Sequence, residues 1–176
     1  MGPGRAMFFT ADMDDVVKRE TELSQALRTA ITNNELEVHY QPQYHVTDRK
    51  IAGFEALLRW KHPQLGYVSP ALFVPIAEKS GMISSIGGRG MEESCRQAKA
   101  WMDAGERPRP IAVNVSPAQM LQSGFVRKVG QCLERTGLPA NLLCVELTES
   151  LFLGRSLSSV RAILDEMHTL GVTLAL

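Results

Sequence analysis

The sequence carries no excess charge of either sign. Among its 176 residues, 19 lysines and arginines balance 19 aspartates and glutamates, so the formal net charge is zero. A neutral chain offers no bulk electrostatic attraction to nucleic acid or to an anionic membrane. We therefore expect neither a nucleic-acid polymer as a partner nor contact with a membrane. An anionic ligand has to be held by a local site.

Cysteines and long apolar runs are also scarce. The three cysteines, Cys95, Cys132 and Cys144, are an odd number in apolar segments, unlike a disulfide framework or a zinc site. No apolar run reaches the ~20 residues that cross a bilayer, and the first residues lack the basic-then-apolar layout of a signal peptide. These absences predict reduced thiols and a soluble, cytoplasmic chain.

What the sequence does contain is a regular alternation of strand and helix patterns. With 44% hydrophobic residues, the chain is long enough for one sizeable core and too short for two comfortable domains. Alternating or apolar strand patterns cover residues 36–41, 51–58, 111–115, 142–147 and 172–176. This order indicates an α/β protein with mostly parallel strands, either a barrel or a doubly wound sheet. The chain has no G-x-G-x-x-G motif and no P-loop, which disfavours a nucleotide-binding doubly wound sheet.

Helix positions follow from apolar periodicity and capping residues. We expect an extended lead-in over residues 1–15, a loop over "HPQLGYVSP", and helices over 16–31, 71–81, 82–104, 117–136 and 156–170. The glycines of "GGRGMEES" weaken the start of the third helix, because each interior glycine costs about 1 kcal/mol relative to alanine.

Oxygen-bearing side chains lie inside three of the predicted strands. Glu55, Asn114 and Glu146 each stand in an apolar setting and near the end of a strand. Ligand sites of parallel α/β proteins lie at the carboxyl ends of the strands. Two carboxylates and an amide carbonyl are hard donors that suit Mg²⁺, Mn²⁺ or Ca²⁺. Their coincidence on three strands suggests a shared metal site.

Each of these residues also has a simpler interpretation. Glu55 could form a structural salt bridge, and Asn114 could tie down a loop. Glu146 and Glu149 flank a predicted helix start, where a carboxylate often caps backbone amides. The four histidines have no ligand-like spacing and suit structural or exposed positions.

Four motifs together identify a family. The stretches "ELEVHYQPQ", "GFEALLRWKHPQLGYVSPALFVPIAEKSG", "AVNVSPAQM" and "VELTES" occur in this order. In order and spacing they closely resemble the EAL domain, the cyclic di-GMP phosphodiesterase family of bacteria, over about residues 35–176. The tripeptide Glu55-Ala56-Leu57 stands as the motif that gives the family its name. The resemblance implies a modified TIM barrel whose first strand runs against the others, here a partial barrel of about five strands.

The resemblance also implies roles for individual residues. Glu55, Asn114 and Glu146 resemble three of the family's ligands for Mg²⁺ or Mn²⁺. Arg59 resembles the arginine that contacts a phosphate of cyclic di-GMP, which fits the fork geometry of a guanidinium. Two further residues resemble positions that line the ligand pocket, Gln41 beside the dinucleotide and Leu57 against a guanine base.

The two ends of the chain add further expectations. Residues 1–34 resemble the tail of a GGDEF domain and a linker helix, which implies a tandem GGDEF-EAL parent. The strand "GVTLAL" ends at Leu176, where the family continues into a "DDFGTG"-like motif whose aspartates bridge two metal ions. We therefore expect an N-terminal part of an EAL domain, with weak or absent metal binding, no complete catalytic set and no activity of its own. The alternatives are a non-catalytic cyclic di-GMP binding module and a dimerisation module, and exposed barrel edges predict a homo-oligomer.

Overall fold

The computed structural model describes residues 11–148, 151 and 157–176, which form a mixed sheet with helices between its strands. The strands are β1 (Leu36–Tyr44), β2 (Ile51–His62), β3 (Gly66–Val68), β4 (Ile111–Val115), β5 (Leu143–Leu147) and β6 (Thr173–Ala175). The α-helices are α1 (Ala11–Ala30), α2 (Pro70–Lys79), α3 (Ile83–Asp103), α4 (Pro117–Met120), α5 (Phe125–Thr136) and α6 (Leu157–Thr169), with a 3-10 turn at Ala140–Leu142.

The sheet has the order β1-β2-β4-β5-β6, and β3 pairs with the far end of β2. β1 runs antiparallel to β2, whereas β2, β4, β5 and β6 are parallel to one another. Helices connect the parallel strands, as the geometry of such crossovers requires. The predicted α/β architecture, a partial barrel of about five strands with intervening helices, is confirmed.

The two faces of the sheet differ in polarity because successive side chains of a strand point to opposite sides. One face packs under the helices and forms the main core, with Ala56, Ile111, Val113, Leu143 and Val145 all buried. From α3 and α5, Met91, Cys95, Val129 and Cys132 close this core. The polar side chains of the strands are therefore left on the opposite face, which the helices do not cover.

A second apolar cluster joins α1 to the sheet. Leu27 of α1, Trp60 of β2 and Phe73 of α2 are each fully buried in it. The Trp60 indole Nε1 donates to Glu35 Oε2 at 3.0 Å, so this large side chain has its polar atom satisfied. The helix α1 is thus packed against the domain through its own small core.

Several predicted boundaries were wrong. The helix α1 begins at Ala11 rather than at Val16. Residues 1–10 of the predicted lead-in lie outside the described residues. The strand β2 continues to His62, because the predicted loop contains β3, which pairs with it.

The helix predicted over residues 117–136 is two helices. The short α4 ends at Met120, and α5 starts after Gly124, whose φ of 77° is left-handed and breaks the helical path. A capping box holds the start of α4, since Gln119 N donates to Ser116 Oγ and Ser116 N donates to Gln119 Oε1. No helix within the described segments is long and apolar enough to cross a membrane.

Candidate metal and phosphate site

Strand register places the predicted site residues on one face of the sheet. Gln41 lies opposite Glu55 in the β1–β2 pair, and Asn114 lies beside Glu146 in the β4–β5 pair. Glu55 aligns with Ala112, two residues before Asn114, so Glu55 and Asn114 share that face as well. This is the face that the helices leave open.

Glu55 and Asn114 are in direct contact. Asn114 Nδ2 donates a hydrogen bond of 2.8 Å to Glu55 Oε1. The bond uses the amide nitrogen and leaves the Oδ1 oxygen of Asn114 as a donor for a cation. The structure therefore brings together the two residues, which are 59 positions apart in sequence.

Gln43 completes the cluster and was missed in the sequence. Its Nε2 donates to Glu146 Oε1 at 3.5 Å, although β1 and β5 are not neighbours in the sheet. Such a contact requires the sheet to curve, so the polar face is concave, as in a barrel. A signal for Gln43 was present, because strand alternation puts it on the same side as Gln41.

The electrostatics of this cluster favour a cation. Burial and the nearby charge of Glu55 raise the pKa of Glu146, while the hydrogen bond from Gln43 lowers it. Two carboxylates that share a site repel each other, and a bound cation relieves that repulsion. The donor set of two carboxylates and one amide oxygen fits Mg²⁺ or Mn²⁺.

The described residues contain no cluster of three or more histidine, cysteine, aspartate or glutamate side chains that could hold a metal ion. The site of Glu55, Glu146 and Asn114 thus has only two charged donors. The three cysteines are free thiols. His62 has a structural role, since its Nδ1 accepts hydrogen bonds from the backbone amides of Gln64 and Leu65 at 3.1 and 3.2 Å.

Arg59 and Leu57 lie further along the same face of β2. Both are half-buried, and together with Asn114 they line one side of a mostly apolar cavity of about 400 Å³. Arg59 Nη1 donates to the backbone oxygen of Leu58 at 3.0 Å. None of the ion pairs found among the described residues includes Arg59, so its charge is not neutralised by a carboxylate there.

The simpler interpretations are weakened for two of the three donors. No ion pair among the described residues includes Glu55 either, and its carboxylate accepts a hydrogen bond from the Asn114 amide. Asn114 contacts this carboxylate. Glu149, the other carboxylate considered as a helix cap, lies outside the described residues. The roles of these side chains as metal ligands, and of Gln41, Leu57 and Arg59 toward the dinucleotide, stay predictions.

Comparison with known families assigns the domain. Residues 24–176 match the family described as "EAL domain". The chain therefore belongs to the EAL domain family. It is 39% identical to an "Uncharacterized signaling protein" of Caulobacter vibrioides and 37% identical to the "Bifunctional diguanylate cyclase/cyclic di-GMP phosphodiesterase MucR" of Pseudomonas aeruginosa. These matches cover 99% and 96% of this chain but only 21% and 24% of the relatives' lengths.

Solved structures support the same fold. A structure named "PaMucR Phosphodiesterase, c-di-GMP complex" matches with a TM-score of 0.82 and 38% identity, covering 87% of this chain and 62% of that one. The FimX EAL domain of Xanthomonas citri, solved in complex with c-diGMP, matches with a TM-score of 0.77 over 92% of this chain and 62% of that one. At 20% identity, the FimX match supports the fold alone.

Proposed function

We propose that this chain forms part of a cyclic di-GMP phosphodiesterase and binds the dinucleotide on the concave face of its sheet. The contact between Glu55 and Asn114, with Glu146 beside Asn114 in register, carries the proposal. It is supported by membership of the EAL family and by the complex of PaMucR with c-di-GMP. The parent protein would hydrolyse cyclic di-GMP to linear pGpG.

A divalent cation would be held by Glu55, Asn114 and Glu146. EAL domains generally depend on a divalent metal, and a bound ion at this position supplies polarisation of the phosphodiester and activation of water. We expect Mg²⁺ or Mn²⁺ to bind weakly to this chain, because two carboxylates and one amide provide little negative charge. The neutral Asn114 also helps to orient Glu55 through their hydrogen bond.

The other predicted residues bind and orient the dinucleotide. Arg59 presents a fork of N–H donors that suits a phosphate oxygen pair. Leu57 offers an apolar surface next to it in the cavity, against which a guanine base can lie. Gln41 lies opposite Glu55 in the β1–β2 pair, within reach of the same ligand. These residues lie on β1 and β2, so one hairpin supplies most of the proposed ligand contacts.

We propose that the 176-residue chain has no measurable hydrolase activity by itself. Two-metal hydrolysis requires two ions about 3.5–4 Å apart, held by carboxylates that fix the attacking water in line. Among the described residues the three oxygen donors hold at most one ion. Loss of the second ion costs more than the 10²–10³-fold rate loss that is typical of removing one stabilising donor.

The test incubates purified chain with cyclic di-GMP and millimolar Mg²⁺ or Mn²⁺ and follows pGpG by chromatography. We expect no turnover above background. Glu55→Ala serves as the control for a contaminating hydrolase. Turnover by the wild-type chain that is lost in Glu55→Ala would contradict the proposal, and it would mean that the chain or its oligomer completes the site.

A non-catalytic binding module is the second candidate. Two observations favour it. Arg59 has no ion-pair partner among the described residues, so its charge is free to bind a phosphate. The candidate metal site, by contrast, has only two carboxylates and one amide oxygen as ligands for a cation. Calorimetric titration with cyclic di-GMP in EDTA separates the two candidates, because binding through Arg59 and Leu57 persists without a cation and hydrolysis does not.

The context of the domain completes the proposal. We infer that residues 1–34 are the tail of a GGDEF domain and its linker helix, that residues 35–176 are the N-terminal part of an EAL domain, and that the parent works in the cytoplasm. The free thiols and the helix α1, which packs on the domain, are consistent with this arrangement. We also propose a homo-oligomer formed through the strand edges of the sheet.

A further inference from the structure

Two opposite charges face each other across the β1–β2 hairpin. Glu37 is paired directly with Arg59 in the antiparallel register, so both side chains emerge on the concave face. Residues in such positions have Cβ atoms about 4.5–5.5 Å apart, and opposite charges there ordinarily attract each other. A Glu37–Arg59 ion pair is therefore the arrangement that the register alone favours.

The structure shows a different arrangement. Glu37 Oε1 accepts hydrogen bonds from Tyr67 Oη at 2.6 Å and from His39 Nε2 at 2.9 Å. Arg59 donates instead to the backbone oxygen of Leu58. The carboxylate is thus held by two neighbours, and the guanidinium opposite it keeps its charge available.

The position of Tyr67 follows from the short strand β3. This strand pairs with the end of β2 and sets Tyr67 opposite Lys61, on the same face as Arg59. The rings of His39 and Tyr67 touch edge to face, with centroids 6.0 Å apart, which fixes both donors beside the carboxylate. Their hydrogen bonds lower the pKa of Glu37, so it is charged and competes for any free cation nearby.

We propose that Tyr67 is a positioning residue that, with His39, holds the Glu37 carboxylate away from Arg59 and so keeps Arg59 available for a phosphate of the dinucleotide. This role in ligand binding rests on the function proposed above. The separation of Glu37 from Arg59, by contrast, is a property of the free chain. Lys61 also lies on this face and is a second cation that a released Glu37 can approach.

The first measurement needs no ligand. In the Tyr67→Phe variant, the Glu37 carboxylate loses its shortest hydrogen bond and turns toward Arg59. We expect the Nε–Hε signal of Arg59 in a ¹⁵N–¹H spectrum, assigned through its absence in Arg59→Lys, to shift and to exchange more slowly with water. Tyr44→Phe is the matched control, because Tyr44 is also an exposed tyrosine, 57% accessible, at the opposite end of β1. An Arg59 signal that is the same in Tyr67→Phe and wild type would overturn the inference.

The second measurement is a double-mutant cycle of cyclic di-GMP affinity in EDTA. We expect Tyr67→Phe to weaken binding about two- to five-fold, the scale of an exposed ion pair that the ligand must displace. Adding Glu37→Gln to Tyr67→Phe should restore wild-type affinity, because the competing charge is then gone. Glu37→Gln alone should bind at least as tightly as wild type.

The outcomes separate the two proposals. If wild type binds no cyclic di-GMP, the proposed function is contradicted, while the Arg59 signal still decides whether Tyr67 restrains Glu37. A loss of affinity in Tyr67→Phe that Glu37→Gln does not restore would mean that the tyrosine contacts the ligand directly. That result would overturn the positioning role, as would an unchanged affinity in Tyr67→Phe.

Discussion

Glu146 is the residue that shows most clearly how the candidate site lowers the stability of the metal-free folded chain. It lies on β5 among apolar neighbours, and burial together with the charge of Glu55 raises its pKa. A carboxyl whose pKa is raised on folding stabilises the folded state most when it is protonated, below its unfolded pKa. That stability is lost as the pH rises through the raised folded pKa, so at neutral pH the ionised Glu146 opposes folding.

Replacement of Glu146 by glutamine should therefore stabilise the metal-free chain at neutral pH. The expected gain in the free energy of unfolding is at most about 1 kcal/mol, since solvent screens a carboxylate that is only partly buried. Thermal unfolding in EDTA measures it, and the gain should disappear when the pH is lowered toward the ordinary glutamate range. Millimolar Mn²⁺ should stabilise wild type and not Glu146→Gln. Glu134→Gln on the exposed side of α5 is the control, and an equal stabilisation by that change would contradict this explanation.

Gly53 shows how closely the backbone is packed around the site. A Cβ atom at this position would lie 2.8 Å from the backbone oxygen of Pro110, which already accepts a hydrogen bond from Phe54 N at 3.0 Å. It would also lie 3.6 Å from Oε1 of Gln43. The contact with Gln43 is an ordinary van der Waals distance, so it is the approach of the Pro110 oxygen that requires glycine here. The missing side chain lets β4 start against β2.

Positions near the ends of three strands were sufficient to predict that Glu55, Asn114 and Glu146 lie near one another. That they share one face follows from the register between the strands, which the sequence does not contain. Gln43 could not be assigned to Glu146, because their contact depends on the curvature of the whole sheet. The separation of Glu37 from Arg59 could not be predicted from the sequence either. It depends on the three-residue strand β3, which brings Tyr67 to Glu37.

At the scale of elements, the start of α3 is governed by its glycines. A Cβ on Gly87 would lie 2.0 Å from Nε2 of Gln119, the residue that closes the capping box of α4, whereas a Cβ on Gly88 would meet nothing within 4 Å. The first glycine therefore allows α4 to approach α3, and the second has no packing reason in the structure. Gly90 also lines the cavity of about 400 Å³ that Arg59 and Leu57 line.

These two neighbouring glycines give opposite predictions. Gly88→Ala should raise the free energy of unfolding by about 0.5–1 kcal/mol, the usual gain in a helix interior. Gly87→Ala should lower it by about 1–3 kcal/mol, because the new methyl group overpacks the contact with Gln119. Urea denaturation of both variants measures the difference. Equal stabilisation by both would show that Gln119 moves away without cost.

Element boundaries were predicted less well than element types. Helical periodicity continues across Leu121 to Gly124, so the break between α4 and α5 is visible only through the left-handed backbone of Gly124. The strand β3 has three residues, too few for an alternating pattern to be recognised. The long strand β2 and the long helix α3 were predicted in type because their patterns extend over many residues.

At the scale of the molecule, the described sheet ends in two edge strands, β1 and β6. In the described part of the chain, β1 pairs only with β2, and β6 pairs only with β5. Large apolar side chains are exposed near these strands, including Val46 at 97% and Leu176 at 82%. Strand edges with unpaired backbone groups readily pair with another chain.

We therefore predict that the 176-residue chain forms a dimer or higher oligomer in which β6 of one copy pairs with a strand of another. Thr173 is exposed on β6, and a lysine there would place charge at the pairing edge, a substitution that disfavours strand addition. Light scattering after size-exclusion chromatography at micromolar concentrations should give an oligomer for wild type and a smaller species for Thr173→Lys. Gln131→Lys, on the exposed surface of α5, controls for the added charge and should keep the wild-type mass. Because an edge that is paired protects its amides, hydrogen exchange of β6 should also be slower in wild type than in Thr173→Lys. A wild-type chain that is a monodisperse monomer with a cooperative melt would contradict this prediction, since its open edges would then be stable in water without a partner.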